Sequence, residues 1–196
     1  MTSLLERAYE AYDEVMMYGV NKLFQGYNRL TGETKTDLAN KLVVVAPTLE
    51  VVGCYQSNPA LSMINTPFLI HLSYRSVKMN KQQEELEKRA EKLGMKNIMA
   101  EVGNVANKYL GTLWMGMSTF LILSPAIESY STGQTSERLI PNLTWASGNV
   151  MRGLSHYVMR CEDLPKGKSV LSKAKTKLEE IVSEHKLSKK MRPQQV

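Results

Sequence analysis

Residue types that commonly carry chemistry are scarce in this chain of 196 residues, which has two cysteines and three histidines. Cys54 and Cys161 stand far apart and fit neither a metal nor a redox spacing, which predicts two buried free thiols. His71, His156 and His185 form no H-x-x-x-H or H-E-x-x-H pair and have no cysteine partner, which argues against a metal site. Ser155 and His156 are adjacent, and adjacent side chains on a helix point in different directions, so they make no nucleophile and base. The string PKGKS at 165–169 has Glu162 where a phosphate-binding loop needs its first glycine, and no strand precedes it. Together these absences predict a non-enzymatic protein with no catalytic residue, metal or cofactor. A secretory leader is not expected either, because the opening TSLLERAYEAYDEV has no basic segment followed by an apolar run.

Acidic residues are also missing, over long spans. No Asp or Glu occurs from 15 to 32, 51 to 83, 102 to 127 or 138 to 161. Cations in these spans include Lys22, Arg29, His71, Arg75, Lys78, Lys81, Arg138, Arg152 and Arg160, with Tyr, Ser, Asn and Gln between them. Arg and Lys beside hydroxyl and amide donors, without carboxylates to repel a ligand, suit contact with phosphates. Lys22, Arg29, Arg75, Lys78 and Lys81 are therefore the expected nucleic-acid contacts. No zinc finger or reading-helix motif accompanies them, so recognition of base sequence is not expected. The net charge of +6 lies entirely near the end: residues 166–196 hold nine Lys/Arg and three Glu, and residues 1–165 hold sixteen of each sign.

What is present is helical periodicity in a chain with 43% apolar residues, enough to fold around a core. Ser3 and Glu6 form a capping box, and Leu5, Tyr9, Tyr12, Met16, Gly19, Leu23, Gly26 and Leu30 make a seam at alternating four- and three-residue steps. Glycine is costly inside a helix, so Gly19 and Gly26 predict close approach of another backbone. A second helix is expected over 37–56 with a kink or break at Pro47, and the pairs Asn58–Pro59 and Thr66–Pro67 each read as a helix start. The second of these should open a long helix ended by Gly94, followed by a helix from about 96 to 123 that stops at Ser124 and Pro125. Helices over 141–160 and 169–187 complete an all-α chain of about six helices: a hairpin or bundle with a long N-terminal helix and a basic, amphipathic C-terminal one. Residues 1–162 form the helical domain, and 163–196 the linker and basic tail.

KYLGTLWMGMSTFLILSPAIE, at 108–128, has no charge inside it and is long enough to cross a bilayer. Gly111, Thr112, Gly116, Ser118 and Thr119 dilute its hydrophobicity and let helices pack closely, so the first expectation is a core or subunit contact. With Gly19 and Gly26, Trp114 and Gly116 are the expected subunit-interface residues. The alternative is an accessory helical subunit of a membrane complex, with 109–127 in or against lipid and the basic tail on an anionic surface.

The long N-terminal helix, acid-poor helices and basic end, carried by the layout of residues 1–94 and the tail, resemble the major coat proteins of filamentous archaeal viruses. The resemblance implies a virion protein that self-assembles helically, with itself or a related paralogous subunit, around double-stranded DNA, with a possible lipid envelope.

Overall fold

A computed structural model describes residues 4–94 and 96–163, together with Val170 and Glu179. Among the described residues the protein is all-α, with five helices: α1 (Leu4–Thr31), α2 (Lys35–Ser57), α3 (Pro59–Lys92), α4 (Lys96–Thr132) and α5 (Leu139–Met159). The linker beyond Asp163 and the amphipathic helix expected over 169–187 lie outside the described residues, apart from Val170 and Glu179.

Local chemistry sets the boundaries. Thr34 accepts from the Asp37 backbone N–H at 3.2 Å while the Asp37 carboxylate accepts from the Thr34 N–H at 3.1 Å, a reciprocal cap on α2. Asn58 ends α2 and opens α3, its side chain accepting from the Leu61 N–H at 3.1 Å with Pro59 in the first turn. Gly32, Gly94 and Gly133, at the ends of α1, α3 and α4, take φ of 77°, 69° and 68°, which glycine adopts without strain.

The structure corrects three expected interruptions. α2 runs through Pro47, α3 is one helix through Thr66 and Pro67, and α4 continues past Ser124 and Pro125 to Thr132. A proline inside a helix removes one hydrogen bond but already has helical φ, so packing elsewhere in the fold can offset its cost. Pro125 is fully buried.

α5 is the central element. Ser155 to Met159 are five consecutive buried residues, so this end of the helix is covered on every side. α2 and α4 pack antiparallel on it, α3 folds back along α2 and reaches α4, and α1 crosses its C-terminal end. The α2 seam is Ala39, Val43, Ala46, Glu50 and Gly53, alternating four and three residues, with small side chains at every second step. A Cβ on Gly53 would lie 2.6 Å from the Pro141 carbonyl oxygen and 2.8 Å from Trp145 Cα, and one on Gly148 would lie 2.7 Å from the Ala46 carbonyl oxygen. The two backbones are thus nearly in contact. On the α4 side, a Cβ on Gly111 would meet the Tyr157 ring at 2.9 Å.

Inside this seam is an ion pair. Arg152 Nε and Nη2 donate to the Glu50 carboxylate at 2.5 and 2.7 Å, Nη2 also donates to the Leu69 carbonyl at 3.2 Å, and the guanidinium lies 5.3 Å from the Trp114 ring centroid. One side chain of α5 thereby engages α2, α3 and α4.

α1 meets the core through a stripe next to its glycine-bearing seam. Asp13, Val20 and Phe24 are buried, while Tyr12, Gly19 and Leu23, each one residue earlier and so about 100° around the helix, face outward. The anchor is polar: Arg160 donates to both Asp13 oxygens at 2.5 and 2.8 Å, Lys108 adds a contact at 3.6 Å, and Tyr9 stacks on Tyr109.

Two glycine substitutions should separate the packed seam from the open one. Gly53→Ala forces backbone atoms apart and is expected to destabilise the chain by about 2–3 kcal/mol. Gly19→Ala meets nothing within 4 Å and is expected to stabilise it by up to about 1 kcal/mol. Urea unfolding of the two variants beside the parent checks both signs. Glu50→Gln, which strands the Arg152 charge, is expected to cost about 3–5 kcal/mol in the same assay.

Candidate functional site

The five expected phosphate contacts are all exposed, and none makes an ion pair among the described residues. They fall on two helices that do not pack extensively on each other. Arg75, Lys78 and Lys81 follow at three-residue steps on α3, so they fan across its outer crest. Arg75 lines the groove between α3 and α4, with His71, Gln82 and Glu87, and Lys81 lines the one between α2 and α3, with Glu33, Asp37 and Lys41, which pairs with Glu33. Lys22 and Arg29 stand on α1, where the Lys22 ammonium lies 5.6 Å from the Tyr18 ring centroid. Two other cations of the acid-free spans are not available: Arg152 is held by Glu50 and Arg160 by Asp13. These pairings join residues 102 and 147 positions apart, which a search for nearby acids passes over.

Of the expected interface residues, Gly19, Gly26 and Gly116 are exposed, and a Cβ on any of them would meet nothing within 4 Å. Trp114 is half-buried and faces Arg152 instead, so part of its surface serves the fold. Large apolar side chains are exposed along α1, α3 and α4, with Leu23 at 73% and Phe120 at 71% among them. Lys35–Ser57 and Glu101–Thr132 are each long and apolar enough to cross a bilayer by length and composition. Only 22% of the most apolar window of the second is buried within the chain.

The groove between α3 and α4, about 640 Å³, has a polar floor that no motif announced. His156 Nδ1 and Asn107 Oδ1 are 2.9 Å apart, Asn107 Nδ2 donates to Gln83 Oε1 at 3.1 Å, and Gln83 Nε2 donates to Glu87 at 3.0 Å. Glu87 pairs with Lys35 at 2.9 Å. The chain of contacts ties four helices together. Burial, and then the charge of Arg152, push the His156 pKa down to about 4, so the ring is neutral and Nδ1–H is the donor to Asn107. Nothing in the groove pairs this imidazole with a nucleophile; its hydrogen-bond partner is an amide.

Cys54 and Cys161 are both buried free thiols, as expected, and burial pushes Cys161 up to about 11. No group of three His, Cys, Asp or Glu able to hold a metal occurs among the described residues. No family model, curated protein or solved structure matches the chain.

The His156 environment sets a pH dependence. Its folded pKa of about 4 lies below the ordinary 6.5, so the unfolded chain takes up the proton first as pH falls. Stability is expected to be full above pH 6.5 and to decline toward pH 4, by up to about 3 kcal/mol. For Asp13, burial pushes the pKa up, but Arg160 and Lys108 outweigh it and hold the carboxyl below its ordinary value. Its contribution is therefore lost only below about pH 3.8. Denaturant midpoints between pH 7.5 and 4.5 check this, with His156→Gln expected to flatten the slope.

Proposed function

We propose that this chain is a non-enzymatic structural subunit that assembles with copies of itself or a related chain through its exposed apolar helix faces. It packages nucleic acid without sequence specificity, as the coat protein of a filamentous archaeal virus would, with double-stranded DNA the favoured cargo and the virion its location. The observation that carries the reading is the outer crest of α3, where Arg75, Lys78 and Lys81 stand exposed and in no ion pair among the described residues. Each such cation displaces counterions from a phosphate backbone, and symmetry multiplies a few weak contacts into retention of a long polyanion. The Gln and Tyr side chains nearby, Gln82 and Tyr74, supply further donors.

A second reading rests on the apolar outer surface of Glu101–Thr132. It makes the chain an accessory subunit of a membrane complex, with that helix against lipid. The two differ in handling: the membrane reading requires detergent for recovery, and the coat reading does not.

The test replaces Arg75, Lys78 and Lys81 together with Gln and measures double-stranded DNA affinity across salt concentrations. The parent slope of log K against log salt is expected to fall by about 2.7 when three phosphate contacts are removed. Thermal unfolding should stay within about 0.5 kcal/mol of the parent, since these are surface positions. An unchanged slope would remove these residues from the interface.

A further inference from the structure

The outward surface of α4 carries a seven-residue repeat. Ala106, Leu113, Phe120 and Ile127 recur at intervals of seven. Val102, Tyr109, Gly116, Leu123 and Tyr130 form a second ladder, each of the last four standing three residues beyond a member of the first. Together they are the alternating a and d positions of a coiled-coil helix over four heptads. In most helices of a single chain such a seam is buried. Here all nine residues are exposed, Tyr130 at 92% and Tyr109 at 62% even with its ring stacked on Tyr9, while the opposite side of α4, with Asn107, Gly111, Met115 and Ser118, is buried.

We propose that this seam is the contact between two copies of the chain, pairing α4 with α4 antiparallel about a two-fold axis near residue 118. The inference deepens the self-assembly half of the proposed function and rests on it; it does not depend on nucleic acid.

Three observations choose the occupant. First, the seam is complementary to itself in side-chain size. In an antiparallel pair each a position faces a d position. With the axis at 118, Gly116 faces Phe120 of the second copy, Ala106 faces Tyr130, Leu113 faces Leu123 and Tyr109 faces Ile127. The smallest residues meet the largest, and a Cβ at Gly116 would have nothing within 4 Å, so the notch for the Phe120 ring is open. A parallel pair would instead set Phe120 against Phe120 and leave Gly116 facing Gly116, an overfilled layer beside an empty one. Lipid needs no such repeat, because it presents no knobs and holes.

Second, length and area fit. The seam spans 102–130, about 42 Å of helix. At about 150–250 Å² for a large aromatic and somewhat less for an aliphatic side chain, the exposed portions come to roughly 900 Å² per copy. A stable protein interface needs about 800 Å² per partner. The stretch 169–187 of the same chain, also apolar on one stripe, would cover only about 28 Å as a helix.

Third, charge is absent. No Asp, Glu, Lys or Arg lies between Tyr109 and Ile127, so two copies of the seam do not repel each other. The lysine-rich 169–187 stretch would find carboxylates only at the two ends of the seam, Glu101 and Glu128.

The test uses the full chain. Leu113→Cys and Leu123→Cys are made separately, mixed, and oxidised mildly; the native thiols are buried and do not compete. A disulfide-linked pair joining the two variants, at twice the 22.1 kDa chain mass and in excess over either self-linked product, is expected. Preferential linkage of Leu123→Cys chains to one another would mean a parallel pair and overturn the proposal. So would absence of any linkage. Gly116→Phe should dissociate the pair by at least tenfold in Kd, and adding Phe120→Gly should restore it, since the swap rebuilds the same complementarity. Failure of that rescue, with the variant folded by circular dichroism, counts against this register. A chain carrying both Leu113→Cys and Leu178→Cys that closes on itself would seat the tail on the seam and overturn the inference. Linked pairs that retain no DNA leave this inference standing and remove the coat reading. DNA retained without the linkage does the reverse.

Discussion

The buried pair of Glu50 and Arg152 holds the arrangement together. A carboxylate and a guanidinium taken out of water are stable only when each is matched in geometry and charge, so their positions on α2 and α5 are fixed relative to each other. The bidentate contact sets the register of those helices, the bond to the Leu69 carbonyl places α3, and the cation over Trp114 places α4. Gly53, Gly148, Gly111 and Gly153 then serve this register by letting the backbones come close enough for Arg152 to reach its partners. A wholly apolar seam of small residues would slide more easily, and this one has a pin.

The division of labour among glycines follows from the same geometry. Those on α5 and the facing sides of α2 and α4 are filled by neighbouring backbone or ring atoms. Those at 19, 26 and 116 face away from the chain's own core. Glycine is costly inside a helix wherever it stands, and at these three positions no contact within the chain makes use of it.

Much of the fold was legible in the sequence and the remainder was not, for definite reasons. Helical class, the cap at Asn58 and the stop at Gly94 depend on neighbours a few residues away, and local pattern finds these. The prolines at 47, 67 and 125 do not end their helices, and whether a helix continues through a proline is decided by packing in the folded chain, which local pattern does not contain. The stripe of α1 that meets the core left no apolar pattern of its own, since it is anchored by Asp13, whose partner Arg160 is distant in sequence. Exposure of Arg75, Lys78 and Lys81 agreed with the acid-free pattern, whereas Arg152 and Arg160 belonged to internal pairs. The polar floor joining Gln83, Asn107 and His156 left no trace in spacing, because amides and a single imidazole on three helices form no motif.

The uncharged stretch of α4 between Tyr109 and Ile127 has a consequence for how any assembly built on it comes apart. Salt weakens contacts between cations and phosphates and leaves apolar contacts intact or slightly strengthened. The two kinds of surface on this chain therefore answer to different conditions. In the assembly we propose, a concentrated salt wash would strip a nucleic-acid cargo and leave an empty sheath, while a chaotrope such as urea would dissolve the sheath itself into single chains.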